Sequence, residues 1–437
     1  MLGYGKEQKS LTREQKQAVG LLSIGTFLEY FDLMLYVHMA VLLNELFFPK
    51  ADPHTAAIYS AFAFCSIFVV RPIGALVFGW IGDNIGRKST VIITTFMMAI
   101  SCFAMAVIPT YAEKGLIATI LVTLCRVAQG MSSMGEIVGA EIYLTELIKP
   151  PAQYPAVMLI AIFSILGGTA ALGIASLVTM NGGDNWRIAF FIGAGVAGIG
   201  TIARTALKET KDFADAKRRL KKTFEKVDLN EKIFEDSPLW QEKVSKKKML
   251  ALLLIQCGWP VCFYITYIYC GNLLKQQFGY TPEEVIHQNF IVSIINLLGY
   301  IILTCLSYKI HPLKILKIKI WIFFPFALLC PYIFNNISSP LHLFLIQSFF
   351  MLFVLSTNPA TPVFYTHISI LKRFMVGSFI YAISRAMIHV ITSFGLVYLV
   401  GYFNQWGLLF IILPMVIGYA FGVFYFIKLE KGVGNYQ

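Results

Sequence analysis

Charged side chains are scarce in this chain. Only 14% of its 437 residues are Asp, Glu, Lys or Arg, whereas 57% are hydrophobic. A soluble protein of this size covers its surface with a larger charged fraction, so the composition excludes an ordinary soluble protein. The apolar stretches also lack the alternation of polar and apolar residues that is typical of a transmembrane barrel strand. Because backbone amides in lipid must bond within their own segment, helices are the remaining way to cross a membrane.

Metal-ligand spacing and a nucleophile placed beside a base are lacking as well. The cysteines fall within apolar stretches, so we interpret them as small packing residues and expect no metal site and no disulfide. They are Cys65, Cys102, Cys125, Cys257, Cys262, Cys270, Cys305 and Cys330. An intramembrane enzyme is therefore the weakest interpretation, and we expect no cofactor other than a coupling proton.

Long apolar stretches dominate the chain instead. A helix needs about 20 mostly apolar residues to cross the hydrocarbon core, and roughly twelve such stretches can be counted. They lie near residues 19–43, 55–82, 89–109, 114–146, 154–180, 187–206, 249–276, 285–308, 313–334, 340–367, 373–400 and 407–428. The sequence therefore predicts an all-α membrane protein with twelve transmembrane helices.

A highly charged stretch divides the predicted spans into two groups of six. The expected segments are an N-terminal tail (1–18), a six-helix bundle (19–206), a central loop (207–248), a second six-helix bundle (249–428) and a short tail (429–437). Apolar residues recur every three or four positions in the loop, which predicts an amphipathic helix along the membrane surface. Two six-helix halves are typical of secondary transporters with a site near the membrane midplane.

The basic residues collect on one side of the predicted spans. A formal net charge of +12 could indicate nucleic-acid binding. However, most Lys and Arg residues fall in the segments that share a side with the N-terminus, and the opposite loops keep few. This bias predicts that both termini are cytoplasmic in a multi-pass protein of the cell membrane, such as a bacterial inner membrane. We expect no nucleic-acid partner.

The first span contains two acids in the stretch GTFLEYFDLMLY. A charge near the bilayer centre costs at least about 2.5 to 3.5 kcal/mol, so ionisable residues there indicate a functional site inside the bundle. Glu29 and Asp32 are about 60° apart around a helix, and Tyr36 follows Asp32 by one turn. Two neighbouring acids repel each other in a low dielectric, which predicts a proton or cation site. Alternatively, the acids anchor Arg71 or Arg126.

The fourth span, LCRVAQGMSSMGEIVGAEIYLTE, combines small residues with charges. Its glycines, among them Gly130, allow another helix to approach closely. Close packing does not explain Arg126 and Glu136, which lie about 15 Å apart along the helix axis. We interpret Arg126 as an anion-binding or proton-relay residue and Glu136 as a protonatable group. Glu141 lies on a different face and is equally consistent with an ion pair near the inner surface.

Arg385, in the eleventh span, has two interpretations. It pairs with a glutamate or with backbone carbonyls, or it recognises a substrate carboxylate. The aromatic stretch CFYITYIY favours core packing over a cage for a quaternary ammonium. His38 is interpreted as a solvated or interfacial histidine. The possible substrate-binding residues are Arg71, Glu141, Tyr264, Tyr267 and Arg385.

The stretch GWIGDNIGRKST, after the second span, is the most specific motif of the chain. Its glycines permit a tight turn, while Asp83 can meet a helix N-terminus. Arg87 and Lys88 can meet acids on the inner face, and Glu146 is a suitable counter-charge for Arg87. Together these residues predict a latch on the inner face.

These stretches resemble the metabolite:proton symporters of the major facilitator superfamily, particularly the proline/glycine-betaine transporters. The resemblance covers nearly the whole chain, and RPIGALVFGWIGDNIGRKS and NWRIAFFIGAGVAGIG extend it. It implies the major facilitator fold and the uptake of a small polar metabolite by proton symport. It also implies a coupling and binding region at Glu29, Asp32 and Glu136, with Arg126 in the superfamily's fourth-helix motif. The implied inner gate contains Gly79, Asp83, Gly86, Arg87 and Lys88.

The expected function is therefore proton-coupled uptake of a small polar solute by alternating access. The solute is a zwitterion such as proline or betaine, or a carboxylate, and an oligomer is not required. A proton-coupled exporter or an organic-acid permease is the alternative within transport. A membrane sensor that does not transport is the alternative of another class, because LSYKIHPLKIL, the second-half copy of the latch, has Tyr308 in place of the acid.

Overall fold

The computed structural model describes residues 7–50, 52–84, 87–133, 136–179, 185–206, 245–368 and 370–436. Most of them are helical, and within these ranges no residue belongs to a β-sheet, although Gln8 and Pro151 form an isolated bridge. The prediction of an all-α protein is confirmed. The amphipathic helix predicted in the central loop lies outside the described residues.

The described helices of the first half occupy the six predicted windows in order. The second and fourth predicted spans each consist of two consecutive helices, and a short helix lies in a connection. The helices are α1 (Arg13–Phe47), α2 (Pro53–Val69), α3 (Arg71–Asn84), α4 (Arg87–Val107), α5 (Tyr111–Lys114), α6 (Leu116–Ser132), α7 (Glu136–Leu147), α8 (Gln153–Thr179) and α9 (Trp186–Ala206).

The second half is more irregular. Its first span contains a π-helical turn, and a non-helical stretch interrupts its fourth span. The elements are α10 (Lys246–Gln256), α11 (Gly258–Phe263), the π-turn (Tyr264–Tyr269), α12 (Cys270–Phe278), α13 (Pro282–Lys309), α14 (Pro312–Asn335), α15 (Pro340–Leu352), α16 (Thr361–Thr366), α17 (Ile370–Phe403), a 3₁₀ turn (Asn404–Leu408) and α18 (Leu409–Val433).

Many of these helices have the length and apolar composition of membrane-spanning helices. Among the described residues, seven segments are long and apolar enough to cross a membrane, and shorter apolar helices such as Pro340–Leu352 accompany them. Large apolar side chains, for example Leu76, Leu177 and Trp321, are exposed on the outside of the bundle. So many exposed large apolar side chains are typical of a protein that faces lipid.

Local sequence signals set where helices begin. Thr12 accepts a hydrogen bond from the Gln15 backbone N–H at 3.2 Å, and the Gln15 side chain accepts one from the Thr12 N–H at 3.0 Å, which is a capping box for α1. Asp52 caps α2. Hydrogen bonds from the side chain and backbone of Thr55 and from the backbone of His54 stabilise its carboxylate, and they lower the pKa of Asp52.

Glycines bring neighbouring helices of the first half into close contact. A Cβ atom added to Gly130 on α6 would lie 2.1 Å from the backbone oxygen of Ile67 on α2. One added to Gly167 on α8 would lie 2.4 Å from the backbone oxygen of Phe27 on α1. The packing of these helix pairs therefore requires glycine at both positions, as predicted for the fourth span.

The two halves meet along α8 with α13 and along α2 with α17. The hydroxyl of Ser176 lies 3.1 Å from Nδ1 of His287 in the first interface. In the second, the Cys65 thiol donates to the backbone oxygen of His389 at 3.2 Å. These two interfaces frame the space between the halves.

Both described ends of the chain lie at one end of the bundle. The Tyr308 hydroxyl donates to the backbone oxygen of Lys9, and the Tyr436 ring contacts the ring of His311. We call this end the termini face and the other the opposite face. Each face carries an ion pair between the halves. At the opposite face, Glu45 of the first half pairs with Lys275 of the second half.

Glu146 forms the ion pair between the halves at the termini face. Its Oε1 lies 2.7 Å from Nη1 of Arg373, at the start of α17. Arg373 also donates two hydrogen bonds to the backbone oxygen of Ile368. The described partner of Glu146 is thus a residue of the other half rather than the predicted Arg87, whose side chain lies outside the described residues.

Replacing Glu146 with Gln is expected to open the termini face slightly. The Glu146 side chain is 42% exposed, so losing the pair should shift the equilibrium between closed and open forms by only about 0.2 to 1 kcal/mol. Spin labels at exposed Lys149 and Lys309 would report a modest gain of longer distances. Lys314→Gln, also on this face, serves as the control. A distance distribution unchanged by Glu146→Gln would contradict a latch role.

Candidate functional site

A cavity with an empty volume of about 830 Å³, including the part open to solvent, lies between the two halves. Its walls come from α1, α7 and α8 of the first half, and from α10, α11, the π-turn, α13, α17 and the interrupted span of the second half. Its lining combines apolar and aromatic side chains with a few polar and charged groups, which is typical of a small-molecule site. A cavity between halves is also where a transporter of this architecture binds its solute.

Arg385 supplies a buried cation to this cavity. Its Nη1 donates to the side-chain oxygen of Gln256 at 2.7 Å and to its backbone oxygen at 3.3 Å. The guanidinium lies over the Tyr381 ring at 3.7 Å. Its Nε has no hydrogen-bond partner among the described residues. Arg385 is therefore held in place by neutral groups and keeps donor capacity for an anionic ligand.

Glu141 supplies a buried acid from the other half. Its side chain lines the cavity from α7, and its Oε2 accepts a hydrogen bond from the Tyr365 hydroxyl at 3.3 Å. Glu141 and Arg385 do not form an ion pair with each other, since the ion pairs of the described side chains lie elsewhere. Two opposite charges thus face one cavity without neutralising each other directly.

Aromatic rings form a continuous wall beside these charges. The ring of Phe263 stacks on Trp259 with centroids 4.8 Å apart and contacts Tyr267 at 4.9 Å. His38, from the first half, contacts Tyr267 edge-on at 5.2 Å. Such a wall offers cation-π contacts to an ammonium group. Tyr264, the other tyrosine singled out in the sequence, packs against Phe64 and does not line the cavity.

A tyrosine pair connects the halves at the cavity. The hydroxyl groups of Tyr30 and Tyr381 lie 2.7 Å apart, and both side chains line the cavity. Tyr381 is also the ring on which Arg385 stacks. Separation of the halves at this point would therefore break a hydrogen bond directly beside the buried cation.

The π-turn carries Tyr267, one ring of the aromatic wall. A π-helical turn leaves backbone oxygens without their usual partners, and such turns are frequent at functional sites. The amide of Gln347 donates to the backbone oxygen of Thr266 at 2.7 Å, and Asn289 donates to that of Tyr267 at 3.3 Å. Gln288 donates to Gln347 at 2.7 Å, so a buried amide network supports the turn.

Gln347→Leu is expected to destabilise the protein and to weaken solute binding. The change leaves a buried backbone oxygen unsatisfied, which costs about 1 to 3 kcal/mol, and it frees the turn that carries Tyr267. Thermal unfolding and KM should both change, whereas the exposed Gln277→Leu on α12 should leave them near wild type. An unchanged KM in a destabilised Gln347→Leu protein would limit the network to a structural role.

The interrupted span contributes polar groups to the cavity. Residues 353–360 connect α15 to α16 without helical structure, and Ser356, Thr357 and Asn358 line the cavity. The Tyr419 hydroxyl donates to the backbone oxygen of Ser356 at 2.6 Å. Non-helical backbone at membrane depth is tolerated where it borders a cavity and finds such partners.

The acids predicted in the first span lie inside the first half. Glu29 and Asp32 are buried, but neither lines the cavity. Asp32 faces α9, where its Oδ1 lies 3.6 Å from the position of a Cβ atom on Gly193. Both acids are thus buried beside the cavity rather than in its wall.

Tyr36 and Arg126 lie together. The guanidinium of Arg126 stacks on the Tyr36 ring at 3.6 Å, and its Nε donates to the Ser66 hydroxyl at 3.0 Å. Both are buried away from the cavity lining, and Nη1 of Arg126 has no hydrogen-bond partner among the described residues. Arg71 is buried over the Phe68 ring at 4.7 Å.

Several predicted residues cannot be placed. The side chains of Glu136, Asp83, Arg87 and Lys88 lie outside the described residues, as do Gly86 and the immediate environment of Gly79. The predicted inner gate and the second coupling acid therefore stay predictions. Of the possible substrate-binding residues, the structure brings Glu141, Tyr267 and Arg385 together at the cavity.

Sequence reasoning missed the cavity face of α1. Tyr30, Met34 and His38 line the cavity at intervals of four residues, and His38 is buried rather than interfacial. This spacing places the three side chains on one face of the helix. Asp32 lies about 160° around the helix axis from Met34, the middle residue of that face. Gln256 and Trp259, also missed, belong to an apolar stretch with no charge to mark it.

Comparison with known proteins identifies the family. The sequence profile of the Major Facilitator Superfamily matches residues 22–387. The chain therefore belongs to this superfamily, and it is a multi-pass membrane protein. Over 93% of its length it also superposes on a proton:xylose symporter, with a TM-score of 0.72, 14% identity and 94% coverage of that chain. The predicted major facilitator fold is confirmed.

Individual relatives show which members of the superfamily this chain is similar to. The chain is 31% identical over 279 residues to the proline/betaine transporter of Salmonella typhimurium, covering 62% of this chain and 55% of that protein. It is 27% identical over 296 residues to the citrate-proton symporter of Klebsiella pneumoniae, covering 64% and 61%. The matches thus span little more than half the length of these relatives. Their names are those of transporters rather than enzymes, and the predicted resemblance to proline/betaine transporters is confirmed.

Proposed function

We propose that this protein is a secondary active transporter that takes up a small zwitterion with one or more protons. The observation that carries the proposal is the cavity itself, in which Arg385 and Glu141 face the same space from opposite halves. A zwitterion has one charge for each. The proline/betaine transporters among the relatives support the same class of solute.

Each part of a zwitterion has a complementary group in the cavity. A carboxylate would bind the guanidinium of Arg385, which forms charge-assisted and frequently bidentate hydrogen bonds. An ammonium or methylated ammonium would lie against Trp259, Phe263 and Tyr267, near Glu141. Ser356 and Asn358 offer further hydrogen bonds along the cavity wall.

Alternating access would use the contacts between the halves. The pair of Glu45 with Lys275 and that of Glu146 with Arg373 hold opposite faces, so opening one face requires breaking its pair. The solute shifts this equilibrium only as far as it binds one state better than the other. A solute that joins Arg385 to Glu141 would favour the form in which the halves are close.

Protons are the proposed coupling ion. Glu141 in the cavity, together with buried Glu29 and Asp32, would bind a proton in one state and release it in another, because charge inside the bilayer is costly. Glu136 is proposed as a further coupling residue. We also propose that both termini face the cytoplasm, as the distribution of basic residues predicts.

A second candidate solute is an organic acid. Arg71, Arg126 and Arg385 are all buried, and each has at least one guanidinium nitrogen without a hydrogen-bond partner among the described residues. Buried unpaired donors favour an anion. The citrate-proton symporter among the relatives supports this alternative.

Uptake by purified protein in proteoliposomes tests the proposal. Labelled proline, glycine betaine and 2-oxoglutarate would be supplied with an inward pH gradient, with the gradient collapsed by a protonophore, and with sodium replaced by potassium. The proposal expects accumulation of a zwitterion that needs the pH gradient and not sodium. Accumulation of 2-oxoglutarate alone would favour the organic-acid alternative. No accumulation of any solute, or accumulation that persists without the gradient, would contradict proton-coupled uptake.

A further inference from the structure

Lys319 is a buried cation in the second half that the proposed solute site does not use. It lies within α14 and is only 3% exposed. No carboxylate lies within ion-pair distance of it among the described side chains. An isolated ammonium in such a position is expensive unless a specific acceptor stabilises it, so its partner indicates its role.

The partner is a backbone oxygen of the interrupted span. Nζ of Lys319 donates to the backbone oxygen of Val354 at 3.1 Å. Val354 lies two residues beyond Leu352, the last residue of α15, at the start of the stretch that has no helical structure. A cation at this position also interacts favourably with the negative end of the helix dipole.

Other helices supply further partners of the same stretch. The Tyr419 hydroxyl donates to the backbone oxygen of Ser356 at 2.6 Å, and the Tyr300 hydroxyl donates to the Ser356 hydroxyl at 3.3 Å. Gly258 allows α11 to approach Leu355, because an added Cβ atom would lie 2.4 Å from the Leu355 backbone oxygen. Lys319 is the charged member of this set.

The supported stretch is a wall of the cavity. Ser356, Thr357 and Asn358 line it, whereas Lys319 and Val354 do not. Lys319 therefore does not contact the cavity. It can affect the cavity only indirectly, by its hydrogen bond to the backbone of the stretch that forms the wall. In transporters with interrupted helices, free carbonyls at such breaks coordinate the coupling cation. Here the ammonium of the protein's own lysine occupies that type of position.

We propose that Lys319 is a resident cation that holds residues 353–360 in the geometry needed for solute binding. It is a positioning residue: it holds the backbone oxygen of Val354, just beyond the end of α15, and thereby fixes the polar groups of Ser356, Thr357 and Asn358. Its effect on transport rests on the proposed function. Its effect on the backbone does not, so the two can be tested separately.

Hydrogen exchange of the full-length protein in lipid nanodiscs tests the backbone part. Lys319→Met removes the charge and the donor but keeps a side chain of similar length, and it should speed amide exchange in residues 353–360 by about tenfold or more. Lys319→Arg keeps the charge and should recover most of the protection. Lys314→Met, exposed on the same helix, is the matched control and should exchange like wild type. If Lys319→Met does not fold, Lys319→Gln is measured in its place.

Transport kinetics test the functional part. Lys319→Met should raise KM for the transported solute by about tenfold or more with a smaller change in kcat, because the binding wall is loosened and no reacting group is lost. Lys319→Arg should restore KM. The proposal is overturned if residues 353–360 exchange in Lys319→Met as slowly as in wild type. If exchange rises while the wild-type protein accumulates no solute, the proposed function fails and the assignment of Lys319 stands.

Discussion

Replacing Arg385 with Gln is expected to lower the affinity for the transported solute by about 100- to 1,000-fold. Arg385 is the buried cation whose guanidinium faces the cavity, and no carboxylate of the described side chains lies within ion-pair distance of it. A substrate carboxylate would form a charge-assisted pair with its guanidinium in a low dielectric. Gln keeps a donor but no charge, so the carboxylate would be buried without compensation.

Arg385→Lys separates charge from geometry. Lysine keeps the positive charge but loses the planar fork, so it should recover only part of the affinity. Arg187→Gln is the matched control, since Arg187 stacks on Trp186 and donates to the backbone oxygen of Ile108, away from the cavity. Equilibrium binding of labelled solute to purified protein gives the readout. Wild-type affinity in Arg385→Gln would place the carboxylate elsewhere.

Glu141→Gln is expected to abolish accumulation driven by a pH gradient, with a loss of about 100-fold or more in the initial rate of uphill uptake. Gln is nearly isosteric and can still accept the hydrogen bond from Tyr365, so the fold should be preserved. It cannot gain or lose a proton. Exchange of labelled for unlabelled solute at equal pH on both sides should therefore persist, although with a weaker affinity for the ammonium end of the solute.

The contrast between uphill uptake and exchange is the decisive part of this test. Glu14→Gln, at an exposed position in the first turn of α1, should change neither activity.

Asp32→Asn is expected to weaken coupling in the same direction, because Asp32 is a buried acid of the first half. Uphill uptake that survives in both Glu141→Gln and Asp32→Asn would remove these carboxylates from the coupling mechanism.

The helical architecture could be predicted from the sequence because the membrane makes hydropathy decisive. Each span must bury about 20 apolar residues and satisfy its own backbone, so the predicted windows and the observed helices agree. The breaks inside the spans could not be predicted. The interruption at residues 353–360 depends on partners such as Lys319 and Tyr419, which come from helices distant in sequence.

The candidate site was predictable only in part, for a geometric reason. The cost of a buried charge indicates that Glu29, Asp32 and Arg385 face protein, but it does not indicate which neighbour they face. On α1 the cavity face is marked by uncharged Tyr30 and Met34, and the acids lie on other faces.

Side-chain pairs between the two halves could not be predicted from the sequence either. Glu146 was expected to meet a residue of its own half, and it pairs with Arg373, which is 227 positions away along the chain. The spacing of residues along one helix indicates which of them share a face. It does not indicate which helix of the other half that face will meet.

A structure of the protein with bound solute tests the central claim most directly. The claim is that the cavity between the halves binds a zwitterion, with its carboxylate on Arg385 and its ammonium against Trp259 and Tyr267 near Glu141. Glycine betaine at saturating concentration is the probe, with proline as the second solute. Density for the carboxylate is expected within hydrogen-bond distance of the Arg385 guanidinium. Density for the solute outside this cavity, or within it but turned away from Arg385, would contradict the account.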